Sequence, residues 1–267
     1  MIEAPYRTPT TGRTTHMLRP LVLQEQAPQH KHAEPAKMGP QWSDSLCLLE
    51  QHLPLCRRIV RAGDAVQVAG EQFVHLHVVK FGAIKSVSVA ADGTAQVAGF
   101  HLKGDWIGFD AIASGTSVCD AVAMDTSEVW SLPYRQLLRA AAEAPELMHG
   151  LHVAMSCQMA RDRDWRFAHG SLQADARVAD FVRSWAKLLA ERELRTDHIT
   201  LRMTRAEIGS YLGMTLETVS RSFTRLAQLG LIRFDQRGRR SFAIPSVLAL
   251  VEFIEQTGDS RTRETLQ

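Results

Sequence analysis

The sequence predicts an α+β protein whose first part is rich in β-strands and whose second part is mainly helical. Between about residues 55 and 133, short segments alternate apolar and polar residues and are separated by turns that contain glycine, as in "VSVAADGTAQVAGF". From Pro133 onward, alanine, leucine and methionine dominate, which is typical of a long helix. Near the C-terminus, two short helical patterns meet at a glycine. We therefore expect an antiparallel barrel or jelly roll, a long helix and a small helical domain, in this order.

The bulk composition is that of an ordinary globular protein. The chain has 267 residues, 45% of them hydrophobic, and a net charge of +2, which allows one or two cores. No apolar run approaches the roughly 18 residues of a membrane span, and the N-terminus lacks a secretory signal. We therefore expect a cytoplasmic protein with no membrane partner. The four cysteines are irregularly spaced and do not indicate a disulfide framework; they are Cys47, Cys56, Cys119 and Cys157.

Changes in composition divide the chain into five segments. Residues 1–40 hold six of the ten prolines and have little apolar periodicity, which predicts a disordered leader. The remaining segments are a β-rich domain (41–133), a long helix (134–170), a domain with two short helices (171–250) and a C-terminal tail (251–267).

The long helix carries an apolar stripe. In "PELMHGLHVAMSCQMARDRDW" an apolar residue recurs at every fourth position, which places Leu147, Leu151, Met155 and Met159 on one face. Two interpretations fit this stripe. It packs against the protein's own barrel, or it pairs with the same stripe of a second copy, as in a coiled coil. The second interpretation makes these four residues dimerisation residues.

The segment "MTRAEIGSYLGMTLETVSRSFTRLAQLG" has the start and stop signals of two consecutive helices. Thr204 and Glu207 have the spacing of a capping box, which opens the first helix. Gly213 stands where a tight turn is needed, and Thr215 can cap a second helix that stops at Gly230. Beyond it, "LIRF" and "SFAI" flank "DQRGRR", which predicts a basic β-hairpin. Together these signals predict a helix-turn-helix followed by a wing.

The second of these helices has two different faces. Its apolar residues are three and four apart and share one face, namely Leu216, Val219 and Phe223. Glu217 and Arg221, with Ser220 between them, then lie on the opposite face. From residue 204 to residue 240 there are seven arginines and three acids, so the whole segment is locally basic on a nearly neutral chain.

These side chains have the chemistry expected of a helix that reads DNA. The N-terminal turns of a recognition helix enter the major groove, where arginine pairs with guanine O6 and N7 and a carboxylate accepts from cytosine N4. We therefore assign base reading to Glu217, Ser220 and Arg221. Phosphate contacts, which fix register rather than sequence, are assigned to neighbouring hydroxyl and guanidinium groups: Thr204, Thr215, Thr218, Arg225, Arg237, Arg239 and Arg240.

Two stretches of the sequence resemble the CRP/FNR family of bacterial transcription regulators, and specifically its FNR branch. They are "GFHLKGDWIGFDAIASG" (99–115) and "TRAEIGSYLGMTLETVSR" (204–221). The resemblance covers about 45–245. It implies a β-roll sensor domain like that of cyclic-nucleotide-binding proteins, a dimerisation helix and a C-terminal winged helix-turn-helix domain.

The resemblance also extends to individual residues. The E-x-x-S-R pattern of FNR-type recognition helices matches Glu217, Ser220 and Arg221, which implies a homodimer on double-stranded DNA with palindromic TTGAT-like half-sites. Asp162 stands where FNR-like proteins carry an acid in the dimer seam, which opposes dimerisation until a signal overcomes it; a solvent-facing acid is the alternative. A regulator of this kind acts on RNA polymerase.

Most of the residues that bind cofactors in this family are absent from the sequence. An iron–sulfur cluster needs four thiolates, but only Cys47, in "QWSDSLCLLEQHLP", stands at an FNR-type ligand position, and Trp130 replaces the ligand of the β-roll. A buried cyclic phosphate needs a cationic partner, and the corresponding segment "GDWIGFDAIASGTSVCDAV" contains no arginine. We therefore expect neither an FNR-type cluster nor cAMP, and the effector remains unidentified.

Two alternatives concern the barrel. His75 and His77 share one face of a strand and resemble part of the metal motif of cupin enzymes, although the downstream glutamate of that motif is missing and two histidines make a weak metal site. A haem or a non-standard iron–sulfur site would instead make the protein an oxygen or redox sensor. No catalytic residue is assigned, and we expect a regulator rather than an enzyme.

Overall fold

The structure is a computed structural model that describes residues 41–196, 198–235 and 238–264. The leader expected over 1–40 lies outside these residues, as does the tip of the predicted hairpin. Across the described ranges, no helix combines the length and the apolar character that crossing a membrane requires.

The β-rich region folds into two four-stranded antiparallel sheets, which confirms the predicted jelly-roll class. Its elements are α1 (Gln41–His52), β1 (Cys56–Val60), β2 (Ala65–Gln67), β3 (His75–Phe81), β4 (Ile84–Val89), β5 (Ala95–His101), β6 (Trp106–Ile107), the short helix α2 (Ala111–Ser114), β7 (Asp120–Ala123) and β8 (Ser127–Pro133). The strand order is β1-β8-β3-β6 in one sheet and β2-β7-β4-β5 in the other.

Apolar side chains cover both faces of the sheet that contains β3 and β8. On its inner face, Val79 and Val129 pack with Ile84 of the second sheet. On its outer face, Leu76 and Trp130 pack with helical residues. Strand β3 is therefore buried on both sides from Leu76 to Val79, so apolar side chains point to both faces instead of alternating strictly with polar ones.

The predicted single helix over 134–170 is two helices, α3 (Tyr134–Glu143) and α4 (Pro145–Ser171). Ala144, between them, is extended, with φ −126° and ψ 92°. The physical reason is Pro145, because proline lacks the N–H that would continue α3 and its ring disfavours a helical conformation at the preceding residue. Proline is tolerated at the first position of a new helix, where it stands here.

The two halves of α4 have different surroundings. Leu147 and Leu151 are buried in an apolar cluster with residues of α1, α3 and the β3–β8 sheet, so packing within one chain already covers most of their surface, which favours the first interpretation of the stripe for these two residues; their dimer contact stays a prediction. Met155 is half-buried. Met159 is 68% exposed, and Asp162 is exposed, so for these residues the dimer contact remains a prediction.

The C-terminal region is a winged helix-turn-helix domain. Its elements are α5 (Ala174–Ala190), β9 (His198–Thr200), α6 (Arg205–Leu212), α7 (Leu216–Gln228), β10 (Arg233–Asp235), β11 (Gly238–Ala243) and α8 (Val247–Glu264). Strands β10 and β11 form the predicted hairpin, and β9, which the sequence did not predict, pairs with β11 as a third strand. The tail expected over 251–267 is wrong for most of its length, because α8 continues to Glu264 and packs Leu250, Phe253 and Ile254 into the domain core.

Candidate nucleic-acid interface

The first helix of the motif begins with the predicted capping box. Thr204 Oγ1 accepts a hydrogen bond from the Glu207 N–H (3.1 Å), and Glu207 Oε2 accepts one from the Thr204 N–H (2.7 Å). The helix ends at Gly213, which adopts the left-handed conformation (φ 62°, ψ 41°) that glycine tolerates best. Gly209 was not singled out from the sequence, yet a Cβ there would lie 2.6 Å from the Met214 carbonyl oxygen. Glycine at 209 therefore permits the tight turn.

The recognition helix α7 is fixed from below by apolar side chains. Thr215 caps it by accepting the Thr218 N–H (3.2 Å), and Val219 and Phe223 are buried in the domain core. Leu216, which the spacing assigned to the same apolar face, is 46% exposed. That assignment is wrong because Leu216 is the first residue of the helix and lies beyond the edge of the core.

The three predicted base-reading residues lie together on the outer side of the first two turns of α7. Glu217 and Arg221 are exposed, and Ser220 is half-buried between them. An exposed carboxylate, a half-buried hydroxyl and an exposed guanidinium are thus within two helical turns of the helix N-terminus. This is the part of a recognition helix that a major groove admits.

The described phosphate candidates lie at the two helix starts, on α7 and on β11. Thr204 and Thr215 are exposed at the two helix starts, although their hydroxyls also serve as caps. Thr218 is half-buried, and its hydroxyl lies 3.0 Å from that of Thr215. Arg225 and Arg240 are exposed. Arg237 and the side chain of Arg239 lie outside what the structure describes.

One arginine of the basic segment belongs to the scaffold. The guanidinium carbon of Arg205 lies 3.3 Å from the centre of the Phe223 ring, so this cation stacks beneath the recognition helix. The count of charges along the sequence could not separate Arg205 from the exposed arginines, because stacking depends on how α6 crosses α7.

Arg177 ties the helix-turn-helix motif to the end of α4. Its Nη2 donates to the carbonyl oxygens of His169 (2.9 Å) and Leu172 (3.0 Å), and its Nη1 donates to that of Leu212 (3.2 Å). A single guanidinium thus joins the end of α4, the link to α5 and the turn of the motif. No local pattern indicates this role, since Arg177 lies within an ordinary amphipathic helix.

The sensor domain contains a buried charge cluster. Asp105 is fully buried, and its Oδ1 accepts from Arg192 Nη2 (2.6 Å) and Arg161 Nη1 (2.9 Å). Burial alone would raise the pKa of Asp105, but the two guanidiniums outweigh burial and hold the pKa below its usual range. The cluster connects the β-roll, α4 and the residues that follow α5.

The residues of the presumed nucleotide segment do not fit a cyclic nucleotide. Its charged side chains are carboxylates, and Cys119 Sγ donates to one of them, Asp110 Oδ2 (3.6 Å). Burial first, and then Asp110, raise the pKa of the Cys119 thiol to about 12. The neighbouring cations Arg161 and Arg192 are held by Asp105. A phosphate placed beside Cys119 would therefore face Asp110, and reaching Arg161 or Arg192 would mean displacing Asp105.

The candidate metal ligands are dispersed. Among the described residues, no three histidine, cysteine or acidic side chains are placed to hold one metal ion. His77 is buried, and its Nδ1 lies 2.9 Å from Ser131 Oγ. Burial, with contributions from His75 and Arg58, lowers the pKa of His77 to about 4. Cys47 and Cys56 are both exposed. The donors present do not form an FNR-type four-thiolate site.

The chain matches two domain families. Residues 176–253 match the Crp-like helix-turn-helix domain, and residues 57–144 match the cyclic nucleotide-binding domain. The two matches fall on the winged domain and on the β-roll.

Relatives and solved structures agree with these matches. The fumarate and nitrate reduction regulatory protein of Escherichia coli K12 is 33% identical over 176 residues, which are 66% of this chain and 70% of that protein. The transcriptional regulatory protein btr of Bordetella pertussis is 34% identical over 173 residues, or 65% of this chain and 72% of that protein. The structure of FixK2 from Bradyrhizobium japonicum superposes with a TM-score of 0.65 and 28% identity, covering 75% of this chain and 97% of FixK2.

Proposed function

Because the chain belongs to the CRP/FNR family of transcription regulators, we propose that it binds palindromic DNA with TTGAT-type half-sites as a homodimer. The observation that carries the proposal is the set of side chains on the outer face of α7: Glu217, Ser220 and Arg221 lie within its first two turns. These turns are the ones that contact base edges in helix-turn-helix complexes.

The chemistry of the three side chains suits such a half-site. TTGAT presents one guanine, and its complement presents one cytosine. Arg221 would donate to guanine O6 and N7, and Glu217 would accept from cytosine N4. The Ser220 hydroxyl can donate or accept, so it fits either neighbour of that base pair.

Phosphate contacts would hold the domain in register. The helix caps Thr204 and Thr215 lie at helix starts, where backbone N–H groups favour anions. Arg225 and Arg240 add exposed positive charge. Contacts of this kind raise affinity for every sequence and make it depend on salt.

The dimer contact would use the second half of α4. Met155 and Met159 leave apolar surface there, and Asp162 follows one turn later on the same side of the helix. In a symmetric pair, Asp162 would face its own copy, and the like charges would weaken the dimer. The two recognition helices must reach half-sites about one helical turn apart, so the geometry of α4 would control DNA binding.

RNA polymerase is the partner on which such a regulator would act. The regulator would therefore work in the cytoplasm, where both RNA polymerase and DNA are found. The β-roll would receive the signal. The carboxylates around Cys119 favour an effector other than an anion.

Fluorescence anisotropy tests the proposal. Aerobically purified protein is titrated onto a TTGAT-N4-ATCAA duplex and onto a scrambled duplex of the same composition, in moderate salt. We expect the palindrome to bind at least about 100-fold more tightly, since specific complexes exceed non-specific ones by about 10³ or more. Equal affinity for both duplexes, in air and after anaerobic purification with a visible spectrum recorded, would contradict the proposed target.

A further inference from the structure

The sensor domain contacts the helix-turn-helix motif directly, through α6. Lys85, on β4, places its Nζ 2.6 Å from Glu207 Oε1. One turn later in α6, Ser210 Oγ accepts the backbone N–H of Val97 on β5 (2.9 Å). The ring of Phe100, also on β5, lies 5.1 Å from that of Tyr211. Helix α6 is thus held along its length by two strands of the β-roll.

Glu207 is the point at which this contact meets the proposed DNA surface. Its Oε2 closes the capping box with Thr204, and its Oε1 accepts from Lys85. Both side chains of the ion pair are mostly buried, with exposed fractions of 25% for Lys85 and 22% for Glu207. Such a pair is less screened by salt and water than a surface pair.

The charge of Glu207 needs a partner in this position. Burial would raise the pKa of Glu207, but hydrogen bonds from Lys85 and Thr204 outweigh it and hold the pKa below its usual range. The carboxylate is therefore ionised beside Thr204, which is a proposed phosphate contact. Without Lys85, a partly buried negative charge would lie next to the DNA backbone, and α6 would lose its ionic contact with the β-roll.

We propose that Lys85, a residue of the sensor domain, is a positioning residue for DNA binding. By pairing with Glu207 it fixes α6 against the β-roll and neutralises the acid beside the phosphate contact at Thr204. The inference rests on the proposed function, because it assumes that the start of α6 approaches DNA.

Three substitutions in the full-length chain test the role of Lys85, with Lys80→Gln as the matched control. Lys80 lies on β3, the strand that precedes β4 in the chain, and its Nζ is 4.4 Å from the centre of the Trp130 ring of the same domain, so both lysine variants lose one positive charge from the β-roll. The test variants are Lys85→Gln, Lys85→Arg and Glu207→Gln; glutamine keeps the shape of glutamate and can still close a capping box.

We expect Lys85→Gln to weaken binding to the TTGAT palindrome about fivefold to tenfold, as for the loss of a charge-assisted hydrogen bond. Lys85→Arg should recover most of this loss. Combining Lys85→Gln with Glu207→Gln should cost no more than the larger single change, because the two residues act as one unit. Titrations are run well below the unfolding midpoint of each variant, so that lost stability alone does not change affinity.

Hydrogen exchange supplies a readout that does not depend on DNA. Lys85→Gln should increase amide exchange in α6 and β5, and Lys80→Gln should leave both at the wild-type rate. If the wild-type protein fails to prefer the palindrome while Lys85→Gln still raises amide exchange in α6 and β5, the proposed DNA target is wrong but the contact between the domains is supported. Affinity and exchange for Lys85→Gln equal to those for Lys80→Gln, or additive losses in the double variant, would overturn the positioning role.

Discussion

The recognition helix and the sensor interior both carry acidic and basic side chains, but they use them in opposite ways. On α7, Glu217 and Arg221 are exposed and direct their charged groups to solvent. In the β-roll, Asp105 is fully buried and binds both Arg161 and Arg192. The first arrangement leaves donors and acceptors ready for an outside partner. The second uses them to hold three parts of one chain together.

Because of this difference, the side chains on α7 can contribute to DNA binding, whereas those of the buried cluster contribute to stability. A base or phosphate that meets α7 displaces only water, so the net gain of a new polar contact is available for recognition. An anion entering the β-roll would compete with Asp105 for guanidinium groups that are already paired. We therefore expect substitutions on α7 to change DNA binding with little effect on stability, and substitutions in the buried cluster to do the reverse.

The largest effect should come from Asp105→Ala. Removing the carboxylate leaves two guanidiniums facing each other without a counter-charge, so the free energy of unfolding should fall by about 3–5 kcal/mol. Urea denaturation at pH 7 measures this change in the free energy of unfolding. Because the pKa of Asp105 is lowered in the folded state, its stabilisation is complete at neutral pH and is lost only as pH falls below about 4.

Asp164→Ala is the matched control for Asp105→Ala. Asp164 pairs with Arg163 at 3.4 Å, but both side chains are about three-quarters exposed, and exposed pairs contribute about 0–1 kcal/mol. Similar losses for Asp105→Ala and Asp164→Ala would mean that the buried cluster does not hold the domains together.

Arg221→Ala should have the next largest effect, and it should affect binding. Loss of one bidentate base contact should weaken binding to the palindrome by about 1–3 kcal/mol and relax selectivity at one base pair. Arg225→Ala, on the same helix, removes a proposed phosphate contact and should weaken palindromic and scrambled DNA alike. Anisotropy on both duplexes distinguishes the two variants. If Arg221→Ala lost affinity equally on both duplexes, Arg221 would not be a base-reading residue.

A smaller effect concerns His77 in the β-roll. Its pKa of about 4 is below the value of about 6.5 expected in the unfolded chain. As pH falls, the unfolded state takes up a proton first, so stability is lost between about pH 6.5 and pH 4, with on the order of 1 kcal/mol gone at pH 5.5. His77→Gln should flatten this part of the stability curve.

The His77 measurement compares slopes of unfolding free energy against pH, since His77→Gln also changes packing at neutral pH. His152→Gln, on the exposed side of α4, controls for the removal of a histidine. A His77→Gln curve as steep as that of the wild type would show that His77 does not stay neutral when folded.

The smallest effect is chemical and leaves stability unchanged. Cys119 is half-buried with a pKa of about 12, so its thiol stays protonated at neutral pH, whereas Cys47 and Cys56 are exposed. Because the thiolate is the nucleophile, iodoacetamide should label Cys47 and Cys56 before Cys119 by a factor of about ten or more, as peptide mass spectrometry can measure. Labelling of Cys119 at an equal rate would indicate that the interior of the β-roll opens to solvent.

Local signals account for what the sequence predicted well. The caps at Thr204 and Thr215 and the turn at Gly213 act within four residues of where they stand, so the motif could be placed almost to the residue. The break before Pro145 was also a local signal, but the alanine before it and the leucine and methionine after it continued the helical pattern across it. The helical pattern after residue 250 was too weak to be separated from a tail.

Long-range contacts account for what the sequence could not predict. The class of the β-region followed from its alternation, but the pairing of β1 with β8 joins Cys56 to Ser131 across most of the domain, and nothing in either strand specifies it. Lys85 and Glu207 are 122 residues apart. Their pairing depends on how the two folded domains pack against each other. The burial of Asp105 depends on the same packing.

The shared core of the two domains has a consequence for how such proteins can be recombined. Ala83 and Leu102 of the β-roll belong to the same apolar cluster as the winged domain, and Phe100 meets Trp185 edge-on at 6.0 Å. A winged domain grafted onto a foreign sensor would present this apolar surface to water unless the new sensor supplied matching side chains. Exchange of whole domains between relatives is therefore constrained at this joint, and chimaeras built here must transplant the β4–β5 strands together with the DNA-binding part.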